Sequence, residues 1–291
     1  MSTIRARSTI SKLSRNIDLQ TSKRVILSTH TGLGDQISAA RIFEKWLEID
    51  VEIHLPVKNQ NMNFMKAVFG DWNGLNLHQI SGDNRSENYE IQKLSSELDA
   101  PIASVNLNDI VYLKRIYPNY SLNSYFNIIF GLEPFDLVSQ KFRASLEKIP
   151  QDDPLNEPYV FIDHHKGTDR EIPSHVIKSI NSKGLRVLEN PRDRELFKLL
   201  KVMDSAAELH LVNSAPLCFA LTADAKPPVR IHYDSLDDPV TKSYSSWSTF
   251  SLKQSPNKWF KARLNIRPCF CKSTFENVLK RSKFLEDITN D

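Results

Sequence analysis

The chain has 291 residues, room for one large domain or two of medium size, with 40% hydrophobic and 25% charged residues. A chain of that size buries a substantial core unaided, so its three scattered cysteines exclude a secreted disulfide scaffold and fit a reducing, cytoplasmic setting. The net charge is +3, but the first 24 residues hold six basic groups against one acid, so the remainder stands at −2 and carries no broad nucleic-acid footprint.

Residues 1–22 read as a basic, flexible tail without the apolar stretch of a signal peptide. No apolar run approaches the ~20 residues of a membrane helix, so no transmembrane segment is expected. Val25-Ile26-Leu27 is a continuous apolar run, as in a strand buried on both faces. A glycine turn follows, then a helix over Asp35–Ile49 with Ile37, Ala40, Phe43 and Leu47 at helical spacing. Val51, Ile53, Leu55 and Val57 alternate as in a strand, closing a β-α-β unit. A helix near Asn61–Phe69 and a strand near Leu75–Ile80 come next, then a polar loop over Gly82–Glu87. The stretch from Glu87 to Leu137 is mixed and mainly helical, with no clear order of elements. Pro150–Pro158 (PQDDPLNEP) denies both regular pairing and burial and reads as a linker.

A second, more regular alternation begins after the linker. Strands are expected at Tyr159–Asp163, Leu185–Leu188, Leu209–Val212 and Val229–Tyr233. Helices are expected at Pro173–Ser182, Asp193–Ala206 and Ser214–Asp224, and a last amphipathic helix at Lys272–Asp287. This β-α-β-α-β-α-β order gives a parallel sheet covered on both faces. The domain reading is 1–22 tail, 23–149 N-terminal Rossmann-like domain, 150–158 linker and 159–291 C-terminal Rossmann-like domain. The fold class is α/β, with two parallel-sheet domains facing a cleft.

Four short segments fall where such sheets bind ligands. In Thr29–Gln36 (THTGLGDQ), Gly32 and Gly34 permit positive φ and close approach of a ligand to the backbone. Asp35 either caps the following helix or faces the crevice. His30, Thr31 and Gln36 complete this turn. Position 37 is Ile, which fails the dinucleotide fingerprint, and no P-loop pattern occurs. In Asp163–Arg170 (DHHKGTDR), Lys166 and Arg170 could neutralise a diphosphate, with His164 and Thr168 as hydrogen-bonding groups. Glu189 and Asn190 end the next strand, where a carboxylate either accepts from ribose hydroxyls or caps the turn. Asn213-Ser214-Ala215-Pro216 joins a strand directly to a helix, either as a seat for phosphate or as plain capping. Cys269 and Cys271 form CxC, but nothing completes a zinc ligand set.

On these residues the chain resembles the GT-B-type glycosyltransferases, in particular the heptosyltransferase-like group. Gly34-Asp35 matches that group's opening turn, and Ala207–Thr222 (AELHLVNSAPLCFALT) is similar to its late strand-to-helix segment. Asn213 stands where aspartate is commoner, and Ala215-Pro216 replaces a glycine. A looser resemblance is to GT-B-like proteins of phages and marine bacteria, through His30, Gly32–Asp35, Ala206, Glu208, His210 and Ser214. The resemblance implies a metal-independent glycosyltransferase with Asp35 as general base. Its first domain would face a glycan, lipid or other hydroxyl acceptor. Its second would bind a nucleotide-sugar donor through His164, Lys166, Thr168, Arg170, Glu189, Asn190, Asn213, Ser214 and Ala215. No cofactor, no metal and no stable nucleic-acid partner are expected; no DxD occurs in the chain. Two other readings stay open: a non-catalytic module that kept the crevice, and nucleic-acid binding through the tail and Lys258–Arg267.

Overall fold

The structure, a computed structural model, describes residues 23–29, 32–81, 83, 86–105, 109, 113, 122–133, 136–164, 172, 174–190, 195–212, 214–233, 248–252 and 267–268. The chain divides into two compact units between Ile149 and Pro150. The basic tail, the Cys269/Cys271 pair and the expected last helix lie outside the described residues, as does all of Lys258–Arg267 except the backbone of Arg267.

In the first unit, β1 (Arg24–Ser28) leads into α1 (Leu33–Ser38) and α2 (Ala40–Leu47), then β2 (Glu52–Lys58). A 3-10 turn (Asn59–Asn61) precedes α3 (Met62–Phe69) and β3 (Leu75–Ile80). After them come α4 (Glu87–Leu98), β4 (Ile102–Ser104), α5 (Leu122–Ile129) and α6 (Gln140–Glu147). The sheet order is β3-β2-β1-β4 and every pair is parallel. Val25, Ile26 and Leu27 are fully buried, which is what a central strand covered on both faces requires. On one side Ile26 packs with Ile91 and Ala100 beneath α4. Elsewhere in the unit Phe43, Phe69 and Phe142 join α2, α3 and α6, with ring centroids 5.5–5.6 Å apart.

Three departures from the sequence reading have local causes. The single helix expected over 35–49 is broken at Ala39, where Ser38 Oγ bonds back to Gly34 O at 2.8 Å. That contact competes with the helix ladder and bends it. Strand β4 is only three residues long, too short for a period-two signal. Helix α6 lies in a segment to which the sequence reading assigned no element; Ser139 Oγ accepts from Phe142 N at 3.1 Å and starts it, a cap contributing about 1 kcal/mol.

The second unit holds β5 (Tyr159–Asp163), α7 (Ser174–Asn181), β6 (Arg186–Glu189), a 3-10 turn (Leu196–Lys198), α8 (Leu200–Ser205), β7 (Glu208–Val212), α9 (Ala215–Thr222) and β8 (Val229–Tyr233). Strands β9 (Ser248–Leu252) and β10 (Arg267–Pro268) extend the sheet, which has the order β10-β9-β8-β7-β5-β6. The β6-β5-β7-β8 portion is parallel, as the alternation implied; β9 and β10 are antiparallel additions. Every residue of β5 is buried. Val160, Ile162, Ile172, Ile180 and Val212 form a core cluster against Val176 and Ile177 of α7.

Only 3-10 turn and α8 are described within the helix expected over 193–206. Gln151 sits at their junction, donating to Phe197 O at 3.0 Å and accepting from Leu200 N at 2.9 Å. The amide thus takes two backbone groups that a continuous helix would have paired internally. The segment read as a linker is therefore anchored at its start, since Asp152 N also donates to Lys198 O at 2.9 Å.

Candidate functional site

Parallel sheets bind ligands beyond the carboxyl ends of their strands, where the strand order reverses. In the first unit that point lies between β1 and β4, and the turn after β1 occupies it. Gly32 is the N-cap of α1, with φ −67° and ψ 141° and no side-chain cap. Neither Gly32 nor Gly34 has positive φ, so the expected conformational reason for glycine is corrected. The reason at 32 is steric: a Cβ there would lie 2.8 Å from Asp35 Oδ2. Asp35 follows in the first helical turn, so it is not the N-cap.

Gln36 is buried, and its Nε2 donates to Pro56 O at 2.8 Å. The β1–β2 ladder ends at Ile26 opposite His54, and Pro56 lies two residues beyond that pair. The side chain of Gln36 therefore straps α1 to β2 and fixes where Asp35 stands. Asp35 itself is partly buried, and its carboxyl is pushed up to about 7, first by burial and then by the negative charge of Glu87.

Glu87 and its partner Lys58 belong to the same edge, and the sequence reading missed both. Lys58 ends β2 and Glu87 begins α4; Nζ and Oε2 are 3.2 Å apart, and both side chains are largely buried. The rule that chemistry gathers at carboxyl ends of strands could have found Lys58. Glu87 had no such signal, because a helix-initiating glutamate looks like dipole compensation.

In the second unit, β5, β6 and β7 bring their carboxyl ends together. Asp163, buried at the end of β5, accepts from Asn190 Nδ2 and from Ser214 Oγ, each at 2.8 Å. Asn190 and Ser214, expected to bind a ligand, both donate to Asp163 and so tie three strand ends together. Ser214 is the N-cap of α9 by position, yet its hydroxyl makes no cap bond. Pro216 has no N–H and Leu217 N is taken by Ser214 O at 3.1 Å, so Ala215 supplies the N–H left at this end of α9. His164 is buried; its Nδ1 accepts from Ile172 N at 3.2 Å, which in the neutral ring puts the proton on Nε2, 4.0 Å from Glu189 Oε1. His30, Thr31, Lys166, Thr168, Arg170 and Asn213 lie outside the described residues.

Glu208 and His210, part of the looser family motif, sit at the other end of β7. Arg230 of β8 holds Glu208 through two bonds of 2.6 Å, and His210 Nε2 is 3.2 Å from Glu208 Oε2. These contacts, the guanidinium first, hold the Glu208 carboxyl far below its usual range. The motif therefore combines a clamp between strands with Ser214 at the ligand edge.

The chain is similar to glycosyltransferases. One structure is described as a bacterial iron-containing dodecameric glycosyltransferase, TibC, from enterotoxigenic E. coli H10407: TM-score 0.49, 13% identity, covering 76% of this chain and 60% of that one. A second, dodecameric iron-containing heptosyltransferase TibC in complex with ADP-D-beta-D-heptose, gives 0.48 and 14% with the same coverage. A glycosyl transferase family 9 structure from Veillonella parvula DSM 2008 gives 0.45 and 11%, covering 74% and 82%. The chain spans about 60% of the length of the TibC structures. No family model matches the sequence, and no curated relative matches it.

The expectation of no cofactor and no metal is corrected by this comparison, since two of these neighbours are iron-containing. Among the described residues no group of three or more His, Cys, Asp or Glu could hold a metal, so these residues do not fit an iron centre. Among them, too, no helix is long and apolar enough to cross a membrane.

Proposed function

We propose that the chain is a glycosyltransferase that moves a sugar from a nucleotide-diphosphate donor to the hydroxyl of a glycan, lipid or other acceptor. One arrangement carries the reading: Asp35 stands in the first turn of α1, just past the carboxyl end of β1, where burial first and the Glu87 charge second push its carboxyl up to about 7. A general base works best when its proton affinity lies near the operating pH, and an ordinary surface aspartate is too weak. In the reaction, the acceptor oxygen attacks the anomeric carbon while Asp35 takes the hydroxyl proton. The bond from that carbon to the diphosphate oxygen breaks, and its electron pair leaves with the diphosphate.

The second unit would receive the donor. The Ala215 N–H at the start of α9, with Lys166 and Arg170, would stabilise the departing diphosphate. Thr168, Asn213, His164 and Glu189 would complete the donor contacts, with Asn190 and Ser214 holding the edge in shape. His30, Thr31, Gly32 and Gly34 would line the acceptor side. The sparse cysteines support a cytoplasmic setting.

Thermal-shift measurements with UDP, GDP and ADP sugars, ADP-heptose among them, identify the donor; transfer to candidate acceptors is then followed in wild type and Asp35→Asn. Stabilisation by one nucleotide sugar, with turnover abolished in the variant, is the expected result. Undiminished turnover in Asp35→Asn would remove Asp35 from the role of base.

A further inference from the structure

Three strand ends of the second sheet meet at one carboxylate. Asp163 closes β5 and is 8% exposed. Its Oδ1 accepts from Asn190 Nδ2 and its Oδ2 from Ser214 Oγ, each at 2.8 Å. The backbone sets both partners. Asn190 N donates to Ile162 O at 2.7 Å, just past the paired residues Ile162 and Glu189. Ser214 follows β7, whose Leu211 lies opposite Asp163. Asn190 and Ser214 are half-buried, so solvent reaches both, whereas Asp163 is almost wholly covered.

Counting hydrogens gives this edge a polarity. A serine hydroxyl has one proton, and that of Ser214 is directed to Asp163 Oδ2, with Val212 O as a second acceptor at 3.1 Å. Toward anything else Ser214 Oγ offers only lone pairs. Asn190 spends one of its two amide hydrogens on Asp163 and keeps Oδ1 and one N–H. Both partners of the carboxylate are neutral, so they do not cancel its charge. Phosphate oxygens are anionic acceptors and gain little from lone pairs beside a buried carboxylate; a hydroxyl, which donates as well as accepts, suits them. We propose that Asp163 is a positioning residue that makes the Asp163–Asn190–Ser214 edge select hydroxyls over phosphate: the ribose or the transferred sugar of the donor lies against Ser214 and Asn190, and the diphosphate is left to the Ala215 N–H beyond them. This placement rests on the second unit being the donor side. Asp163 acts through Asn190 and Ser214, by deciding which of their hydrogens remain to be offered.

Isothermal titration of the full chain tests this with UDP, GDP and ADP, their sugars, their 2′-deoxy and 3′-deoxy forms, and inorganic pyrophosphate, which has phosphate and no hydroxyl-bearing ring. The proteins are wild type, Asp163→Asn, Ser214→Ala and Ser214→Thr. Asp163→Asn and Ser214→Ala are expected to weaken the best hydroxyl-bearing ligand about tenfold and to leave pyrophosphate within about twofold. Ser214→Thr, which keeps the hydroxyl, should restore wild-type affinity. A loss that disappears with a deoxy form assigns the ribose; a loss seen with the nucleotide sugar but not with the bare nucleoside diphosphate assigns the transferred sugar. Where pyrophosphate binds too weakly to measure, the ligand lacking the hydroxyl in question is the reference. Should Asp163→Asn fail to fold, the Ser214 variants carry the test. Equal weakening of every ligand, weakening of none, or a loss confined to pyrophosphate overturns the proposal. Wild type that binds no nucleotide overturns it together with the transferase reading. The expected selectivity without transfer to any acceptor upholds it and counts against that reading alone, and turnover without the selectivity does the reverse.

Discussion

Ser214 Oγ donates to Asp163 Oδ2 at 2.8 Å, joining the turn after β7 to the end of the adjacent strand β5. The other oxygen of the same carboxylate holds Asn190 at the end of β6. Asp163→Ala leaves both donors without their acceptor and is expected to destabilise the protein by about 2–4 kcal/mol. Ser214→Ala should cost about 1 kcal/mol. Because the two share one bond, the double variant should cost less than the sum. Urea denaturation of the four proteins checks this; strict additivity would disprove the shared network.

Asp35 makes stability depend on pH in a direction opposite to most aspartates. Its folded midpoint is raised from 3.8 to about 7, so the folded chain binds the proton more tightly than the unfolded one. The stabilisation is fully present below about pH 4 and is lost as pH rises through 7. Asp35→Asn should therefore be more stable than wild type at pH 8, by about 1–2 kcal/mol after allowance for partial exposure, and the gap should narrow on acidification. Melting curves from pH 5 to pH 8.5 decide it; a variant less stable than wild type at pH 8 would contradict the sign.

Gly32→Ala separates positioning from folding. The backbone of Gly32 suits any residue, and the atom an added Cβ would meet is the far end of the Asp35 side chain. Asp35 can swing aside, so stability should change by less than about 1 kcal/mol. Turnover should fall roughly 10- to 100-fold as the carboxylate leaves its place. A large loss of stability with activity retained would show that the contact matters for folding instead.

His54 and His78 give the opposite pH response. Their rings meet at 2.7 Å, Nδ1 to Nε2, on neighbouring strands β2 and β3. Burial holds both below the ordinary histidine range; for His54 the Glu52 carboxylate partly opposes this. As pH falls through about 6.5 the unfolded chain takes up protons that the folded chain refuses, so stability present above that pH is lost below it. The urea midpoint should drop between pH 7.5 and 5.5 in wild type and drop less in His78→Asn. Equal drops in both proteins would rule out the pair as the source.

Much of the fold was legible because its signals are local. The run Val25–Leu27, the alternation from Val51 to Val57 and the strands at 75–80 and 159–163 each carry their burial in their own residues. What stayed hidden depends on partners distant in sequence. The break at residues 196–200 needs Gln151; the short strand β4 needs β1 beside it. At the site, Asp35 stood out through its glycine turn, whereas Glu87 gains significance only when α4 brings it to Lys58. Asn190 and Ser214 had the chemistry of ligand contacts, and only the structure reveals Asp163 as their shared acceptor.

The bond from Gln36 to Pro56 has a consequence for how this surface can evolve. It fastens α1 to the sheet one residue after Asp35. Substitutions elsewhere on that helix that keep Gln36 leave Asp35 beside the same strand. Under the reading proposed above, the proton acceptor is therefore inherited with Gln36, a residue that never meets a substrate.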